Sequence, residues 1–505
     1  MKSIYFLASL LTVILFACEN QKDQLPVPED TKVSIDGESI SPTQSSAYKT
    51  GNSLILTFKA GTKNIIITTS DTIAGTYNFI PKSSKSATAL TATIEYNDGS
   101  TKYTGNSGTL IITKNERGII SGLYNSKLIS DKGESKNIDS GSFVDIQTIS
   151  IIETESAIND MLELCYTKLY EYIEFSFLFD AVYANIIPVP NNSWTEIYQH
   201  TQSPTNNTVL KLWSEAFDII SKINLILYSS EVVVPDEPAR NSINAQAKSI
   251  RAYLFYTLMI WFGEIPVETE IPDTLSPRSS IPQVLAQING DAASAVNYLP
   301  MKWPAGDSFR IPKSFMSGLL ARINLTDFKL PDRWPPLQLY LYSNNCSDAI
   351  LAAQQIINSG NYILDNEVNN FSESNTEIIW GFKKEYDNEF NSIFNKGSYI
   401  PVLRLTEIYL ILSEALCQKG NSTDAVSYIN LLNSRRGIQL VKSITPDEIL
   451  PYWSSEFTLE GSRFITLRRF NKAFKEVQNN PRNILLPVPL TVLIRNPYLT
   501  QNIGY

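Results

Sequence analysis

Fifty-one acidic side chains and a single histidine frame the chemistry open to this 505-residue chain. Two carboxylates flanking a glycosidic bond would make a glycosidase, but with so many acids no sequence spacing singles out a pair. His200 has no partner with which to form a triad or a zinc site. No HExxH, GxSxG, Walker or GxGxxG string occurs. His200 therefore reads as a surface side chain, and the sequence offers no metal site and no cofactor motif. Arg404 and Glu407 lie three residues apart, as do Glu460 and Arg463, which is the spacing of neighbours on one helix face. Both read as ion pairs that stabilise helix packing.

Binding asks for less than catalysis. Flat aromatic rings pack on sugar C–H faces or peptide side chains, and Asn, Gln and Asp supply directed hydrogen bonds. Such groups belong in loops held by a rigid scaffold. Three segments qualify. Tyr183 to Gln202 carries Asn191, Asn192, Trp194 and Tyr198. Leu299 to Phe309 carries Trp303 and Asp307. Asp327 to Asn345 carries Arg333, Trp334, Tyr340 and Tyr342. The candidate contacts are Asn192, Trp194, Tyr198, Trp303, Trp334, Tyr340 and Tyr342. Trp213, Trp261, Trp380 and Trp453 sit within periodic apolar elements and read as core.

The ends and the composition bound the setting. Lys2 precedes an apolar run from Ile4 to Phe16, 13 residues interrupted only by Ser9 and Thr12. That length suits the core of a signal peptide and is short for a bilayer span. Leu15-Phe16-Ala17-Cys18 resembles a lipobox, in which residues 1–17 are removed and the Cys18 thiol is acylated. Several acyl chains on one residue give firm anchoring. The formal charge is −9, and −10 once Lys2 is lost with the signal, a poor match to nucleic-acid phosphates. Beyond Cys18, the odd and widely spaced Cys165, Cys346 and Cys417 fit neither a disulfide scaffold nor a Cys-rich metal site. Cys165 and Cys417 lie in apolar helical patterns.

Two regions with different periods must position these residues. Residues 18–31 form a polar tether with Pro26 and Pro28. From 32 to 147 the period is two. Leu54, Leu56 and Phe58 share a face, as do Ile65 and Ile67, while Ile55 and Ile66 suggest burial on both faces. Asn97-Asp98-Gly99 is a hairpin signal. Short strands parted by Gly, Asn, Asp and Ser predict a small all-β sandwich or barrel. From about Ile151 the period becomes 3.6, with helical patterns at 209–229, 240–262, 281–299, 312–326 and 346–359. The clearest pair spans 403–436, where Gly420 stops one helix and Asn421-Ser422 caps the next. That pair resembles a tetratricopeptide unit, so the expected class is mainly α: a helical domain over 150–505 behind a small β module.

The helical region resembles the SusD/RagB family of surface nutrient-binding lipoproteins. The resemblance rests first on the tail Asn496-Pro497-Tyr498-Leu499-Thr500-Gln501-Asn502-Ile503-Gly504-Tyr505. It also rests on Trp213 to Asn224, Ala247 to Phe255 with Phe262-Gly263-Glu264-Ile265-Pro266, and Leu319-Leu320-Ala321-Arg322. Further matches are Ile357 to Leu364, Arg404-Leu405-Thr406-Glu407, Ser413-Glu414-Ala415, Ile429 to Gly437, and Glu456 with Glu460-Gly461-Ser462-Arg463. Asn433 stands where the family has Arg, Tyr452-Trp453 where it has Glu-Arg, and Thr466 where it has Asp. Those departures imply a structural ion network partly replaced by packing. The resemblance implies a non-enzymatic lipoprotein on the outer face of the outer membrane. It would capture oligosaccharide or peptide and deliver it to a SusC-like TonB-dependent transporter. A surface glycoside hydrolase or lyase, or a scaffold acting through the β module, are the alternatives.

Overall fold

The computed structural model describes residues 30–50, 53–81, 84, 90–116, 118–189, 191–269, 275–328, 340–342, 345–365, 372, 374–383, 399–473 and 485–505. Cys18, Arg333 and Trp334 lie outside them. The chain divides into two units, residues 1–150 and 151–505.

The first unit holds β1 (Lys32–Ile35), β2 (Glu38–Ile40), β3 (Gln44–Thr50), β4 (Ser53–Ala60), β5 (Lys63–Thr69), β6 (Gly75–Phe79), β7 (Thr91–Asn97), β8 (Lys102–Glu116), β9 (Ile119–Ser130) and β10 (Ser135–Ser150). All ten join one sheet, in the order β2-β1-β10-β3-β4-β5-β7-β6-β8-β9, and β9 pairs again with β10. Leu54, Leu56, Phe58, Ile65 and Ile67 are buried, whereas Ile55 and Ile66 are half-exposed, so these strands hide one face only. Asp36 and Gly37 take positive φ and turn β1 into β2. Asp98 accepts from the backbone of Ser100 and Thr101, which closes the β7–β8 turn and holds its carboxyl down at about 2.

The expectation of a mainly helical chain behind a small sandwich or barrel is corrected here. The chain is α+β, and its strands form one large ten-stranded sheet with parallel pairs at β10/β3 and β6/β7. The sequence misleads because turn-like residues lie inside long strands. The β8 register shifts at Gly105 to Ser107 and the β10 register at Ile138 to Gly141, so these are bulges and not turns. Gly122 and Gly141 sit directly opposite Phe143 and Tyr124. A Cβ at either glycine would come within about 2.4 Å of the facing ring. These glycines make room for cross-strand aromatics that pack on Phe58, Tyr124 stacked at 5.6 Å and Phe143 tilted at 5.8 Å.

The second unit carries α1 (Glu155–Tyr183), α2 (Thr195–Tyr198), α3 (Asn207–Val233), α4 (Glu237–Phe262), α5 (Ile281–Ala295), α6 (Lys313–Asn324), α7 (Cys346–Asn358), α8 (Leu405–Gln418), α9 (Ser422–Arg436), α10 (Pro446–Glu456), α11 (Arg463–Arg469) and α12 (Leu490–Arg495). Consecutive long helices pack as neighbours: α3 on α4, α4 on α5, α6 on α7, α7 on α8, and α8 on α9. Local chemistry sets their ends. Asn206 and Asp236 cap α3 and α4, and Thr445 with Glu448 boxes α10. Asn421 caps α9, and Gly437 in the left-handed region ends it. Two further hairpins pair β11 (Thr326–Phe328) with β12 (Tyr340–Tyr342) and β13 (Ile378–Lys383) with β14 (Tyr399–Arg404). Trp213, Trp261, Trp380 and Trp453 are all buried, as are Cys165, Cys346 and Cys417. No helix among the described residues is long and apolar enough to cross a membrane.

Candidate functional site

Arg404, Glu407 and Glu460 belong to a buried network, with partners other than those their spacing suggests. Arg404 is fully buried, and its backbone is still extended where β14 meets α8. It therefore does not share a helix face with Glu407. Its guanidinium donates two hydrogen bonds of 2.8 Å to Glu460 and one of 3.3 Å to Glu377. Glu377 also accepts from Thr406 Oγ1 at 2.6 Å and from the Asp365 N–H at 2.9 Å, and it pairs with Arg435. Glu407 is taken by Arg322 at 2.5 and 2.7 Å. Arg463 does not pair with Glu460, because Gly461 at φ +68° turns the chain between them and α11 begins at Arg463. The structural role was legible in sequence; the partners were not.

The departures from the family pattern meet one another. Asn433 donates to the Tyr452 hydroxyl at 3.1 Å. The Trp453 indole donates to Glu414 at 2.8 Å, while Arg469 donates to the same carboxylate and lies 5.0 Å from the Trp453 ring centroid. A cavity of about 60 Å³ opens beside this network, with Asp180, Trp261, Arg322, Glu407, Glu460 and Thr466 among its walls. Each of its carboxylates is already engaged. Asp180 accepts the backbone N–H groups of Arg463 and Phe464, both at 2.9 Å.

His200 is corrected from surface to core. It is 5 % exposed, its ring lies 4.5 Å from that of Tyr183, and Nε2 is 2.7 Å from the Tyr183 carbonyl. Burial pushes its pKa down to about 4 and pushes Asp180 up to about 6. The two titrate with opposite consequences. Unfolded His200 takes up a proton that the fold refuses, so its contribution is full above about 6.5 and is lost as pH falls towards 4. Asp180 holds its proton more tightly when folded, so its contribution is full below about 4 and is lost as pH rises towards 6. Between these limits the two contributions oppose one another. His200→Asn, which suits the positive φ at this position, should gain on the native protein as pH falls from 7 to 4, by up to about 3 kcal/mol. Melting curves at both pH values check this; parallel shifts would refute it.

The sequence-predicted contacts differ in burial and in the elements that carry them. Trp194 is 4 % exposed and packs 5.5 Å from Phe175 and 6.2 Å from Phe179, so its ring serves the core. Asn192 and Tyr198 beside it are exposed. Tyr340 and Tyr342 lie on β12, opposite Phe328 and Thr326, and β12 runs beside α11. Trp303 is half-buried in a segment fastened along its length. Its indole donates to the Ile311 carbonyl at 2.9 Å. The Phe309 carbonyl accepts from both Tyr170 and Trp380, at 3.0 and 2.8 Å, and Tyr362 donates to the Met301 carbonyl at 3.1 Å. This segment leans on α1 at Tyr166 and Tyr170, whereas Trp194 of the other segment leans on Phe175 and Phe179. Tyr170 is about 8 Å from Phe175 and about 14 Å from Phe179 along the helix, so the two segments rest on successive stretches of α1. Tyr298 is 52 % exposed just before Trp303's segment.

Comparison with known proteins decides the family. A family described as "Starch-binding associating with outer membrane" matches residues 136–325, and the SusD family matches residues 341–483. The chain belongs to the SusD/RagB family. Starch-binding protein SusD of Bacteroides thetaiotaomicron is 32 % identical over 120 residues, which is 21 % of each chain. SusD-like protein P2 of Formosa agariphila is 32 % identical over 71 residues, 14 % of each. The chain thus spans about a fifth or less of the length of these curated SusD relatives. Among solved structures, a laminarin binding SusD-like protein superposes with a TM-score of 0.58 at 16 % identity, over 70 % of this chain and all of that one. A SusD superfamily protein of Bacteroides vulgatus gives 0.58 at 17 %, with the same coverage. At such identities the likeness establishes a SusD-type fold.

Proposed function

We propose that this SusD-family chain is a surface lipoprotein, anchored through Cys18, that captures an oligosaccharide and passes it intact to a SusC-like TonB-dependent transporter in the outer membrane. What supports the binding half is the rigidity of residues 299–311. Side chains from α1, β13 and the segment after α7 fix their carbonyls, so an exposed Tyr298 and a half-buried Trp303 with Asp307 are presented without further ordering. Binding without turnover fits the cavity carboxylates, each of which is committed to a guanidinium or to backbone N–H groups. Tyr198, Asn192, Trp334, Tyr340 and Tyr342 remain contacts for the same class of ligand on this reading.

Calorimetric titration with laminari- and malto-oligosaccharides tests it. Trp303→Ala and Tyr298→Ala should each weaken binding about tenfold or more, since truncating a contacting ring forfeits about 1–3 kcal/mol. Trp194→Ala should lower the melting temperature and leave the affinity of the folded fraction unchanged. Tyr198→Ala should weaken binding as well; an unchanged affinity there beside losses at Tyr298 and Trp303 would remove the Asn192–Tyr198 segment from the face. Products found by chromatography would replace the reading with a hydrolase. For the anchor, Cys18→Ala should free the protein from membranes or leave it unprocessed; a correctly cleaved variant that stays membrane-bound would contradict lipidation.

A further inference from the structure

The C-terminal segment from Leu485 carries its polarity inside out. Asn496 and Asn502 are 5 and 6 % exposed, whereas Ile494, Tyr498 and Ile503 are between 60 and 72 % exposed. The amides face inward because they satisfy backbone groups of neighbouring segments. Asn496 donates to the Ser276 carbonyl at 2.9 Å, and Asn502 donates to the Phe262 and Leu486 carbonyls at 2.9 and 2.7 Å. Gln501 donates to the Val488 carbonyl at 2.9 Å and accepts from its N–H at 2.7 Å. Turning the apolar side chains inward would break these bonds and strand buried polar groups, which is costly. Exposed apolar residues scattered singly are ordinary, but these are gathered. Ile494 and Tyr498 flank the pinned Asn496, and Leu275, exposed as well, precedes Ser276. Arg278, on the same loop, donates to the Thr500 carbonyl and to Asn502, the neighbour of Ile503. Charge also sets the patch apart. No acidic side chain occurs from Leu485 to Tyr505, in a chain of net charge −9. Arg495 is exposed and meets no carboxylate among the described residues. Arg278 spends its donors on three carbonyls and one amide.

We infer that this patch is the surface by which the chain docks on the extracellular face of the transporter, against an apolar pocket edged by carboxylates. The inference rests on the SusC-like partner proposed above and adds the surface that meets it. Interface cores are depleted of acidic side chains and enriched in Tyr and Arg, which is the make-up of Ile494, Tyr498 and Arg495. Their backbone is already fixed, so little ordering cost remains when they are covered. Two cations without carboxylates call for an acidic partner face. A second copy of this chain does not supply one, because a two-fold contact would bring the two positive patches together. Lipid is also a poor occupant. Residues 496–505 form no helix, and irregular backbone facing hydrocarbon has nothing to satisfy its N–H and C=O groups.

Capture of a tagged SusC-like transporter from detergent-solubilised outer membranes, followed by titration with the full-length chain, tests the surface. Ile494→Ser and Tyr498→Ser should each weaken the complex about tenfold or more, as loss of an interface anchor does. Arg495→Glu should weaken it more at low salt than at high salt. Ile438→Ser, at another exposed apolar residue just after α9, should leave it unchanged. All four side chains lie on the surface, so melting temperatures should match that of the native protein. If the native chain binds the transporter and the tail variants bind equally well, this surface is wrong and the partner stands. If the native chain binds no transporter, the transporter reading fails and the surface fails with it. Native dimers dispersed by Tyr498→Ser would assign the patch to a second copy and overturn the proposal. Binding to phosphatidylethanolamine–phosphatidylglycerol vesicles that is lost in Tyr498→Ser would assign it to lipid, with the same consequence.

Discussion

Glu460→Ala should be among the most damaging substitutions in the helical unit, costing about 3–5 kcal/mol in urea unfolding. The variant deletes both 2.8 Å hydrogen bonds to Arg404, whose side chain is entirely buried. It leaves a guanidinium in the interior with Glu377 as its one remaining carboxylate, and removing one partner of a buried pair costs far more than the pair contributes. Burial already pushes the Glu460 pKa up, against the pull of Arg404, which measures how unfavourable that site is for an isolated charge. Replacing both partners, as in Arg404→Met with Glu460→Leu, should recover a large part of the loss. A single-variant loss below about 1 kcal/mol would show that the site admits water freely and that the network is ornamental. The folded fraction should still bind oligosaccharide as the native protein does, because Glu460 lies in the interior and not on the Trp303 segment.

Gly461→Ala comes next, for a reason no charge argument supplies. Gly461 has φ +68°, and a Cβ there would sit 2.1 Å from Cδ1 of Phe177. The backbone conformation alone costs a side chain about 1 kcal/mol or more, and overpacking a buried ring adds about 1–3 kcal/mol. A total of about 2–4 kcal/mol is expected. A double-mutant cycle separates the parts: in a Phe177→Leu background the clash is relieved, so Gly461→Ala should then cost only the conformational part. Equal costs in both backgrounds would mean that the ring moves aside freely and that contact is not what keeps glycine here.

These two residues stand side by side in the sequence, as Glu460-Gly461-Ser462-Arg463, and a family motif marked them. The motif said they were structural without saying what they touch. Glu460 meets Arg404 across 56 positions, and Gly461 meets a ring on α1. The same limit explains the candidate contacts. Trp194 and Tyr198 looked alike as aromatics in a polar stretch. Which one turns inward is decided by Phe175 and Phe179, a turn apart on α1 and distant in sequence.

What the sequence determined by itself is what depends on neighbours within a few residues. Apolar stripes at 3.6 spacing placed α8 and α9, and Gly420, Asn421 and Gly437 set their ends, because helix hydrogen bonds and caps close over three or four residues. The ordered motifs up to Tyr505 carried the family. Tertiary structure alone decided the rest. Strand length and pairing in the ten-stranded sheet depend on partners far along the chain, so nothing local marks the bulges at Gly105 and Gly141 inside β8 and β10. Counterion choice and the burial of His200 and Trp194 are likewise set by packing between distant elements. Burial is a property of everything that surrounds a side chain, and a linear string names only the residues on either side.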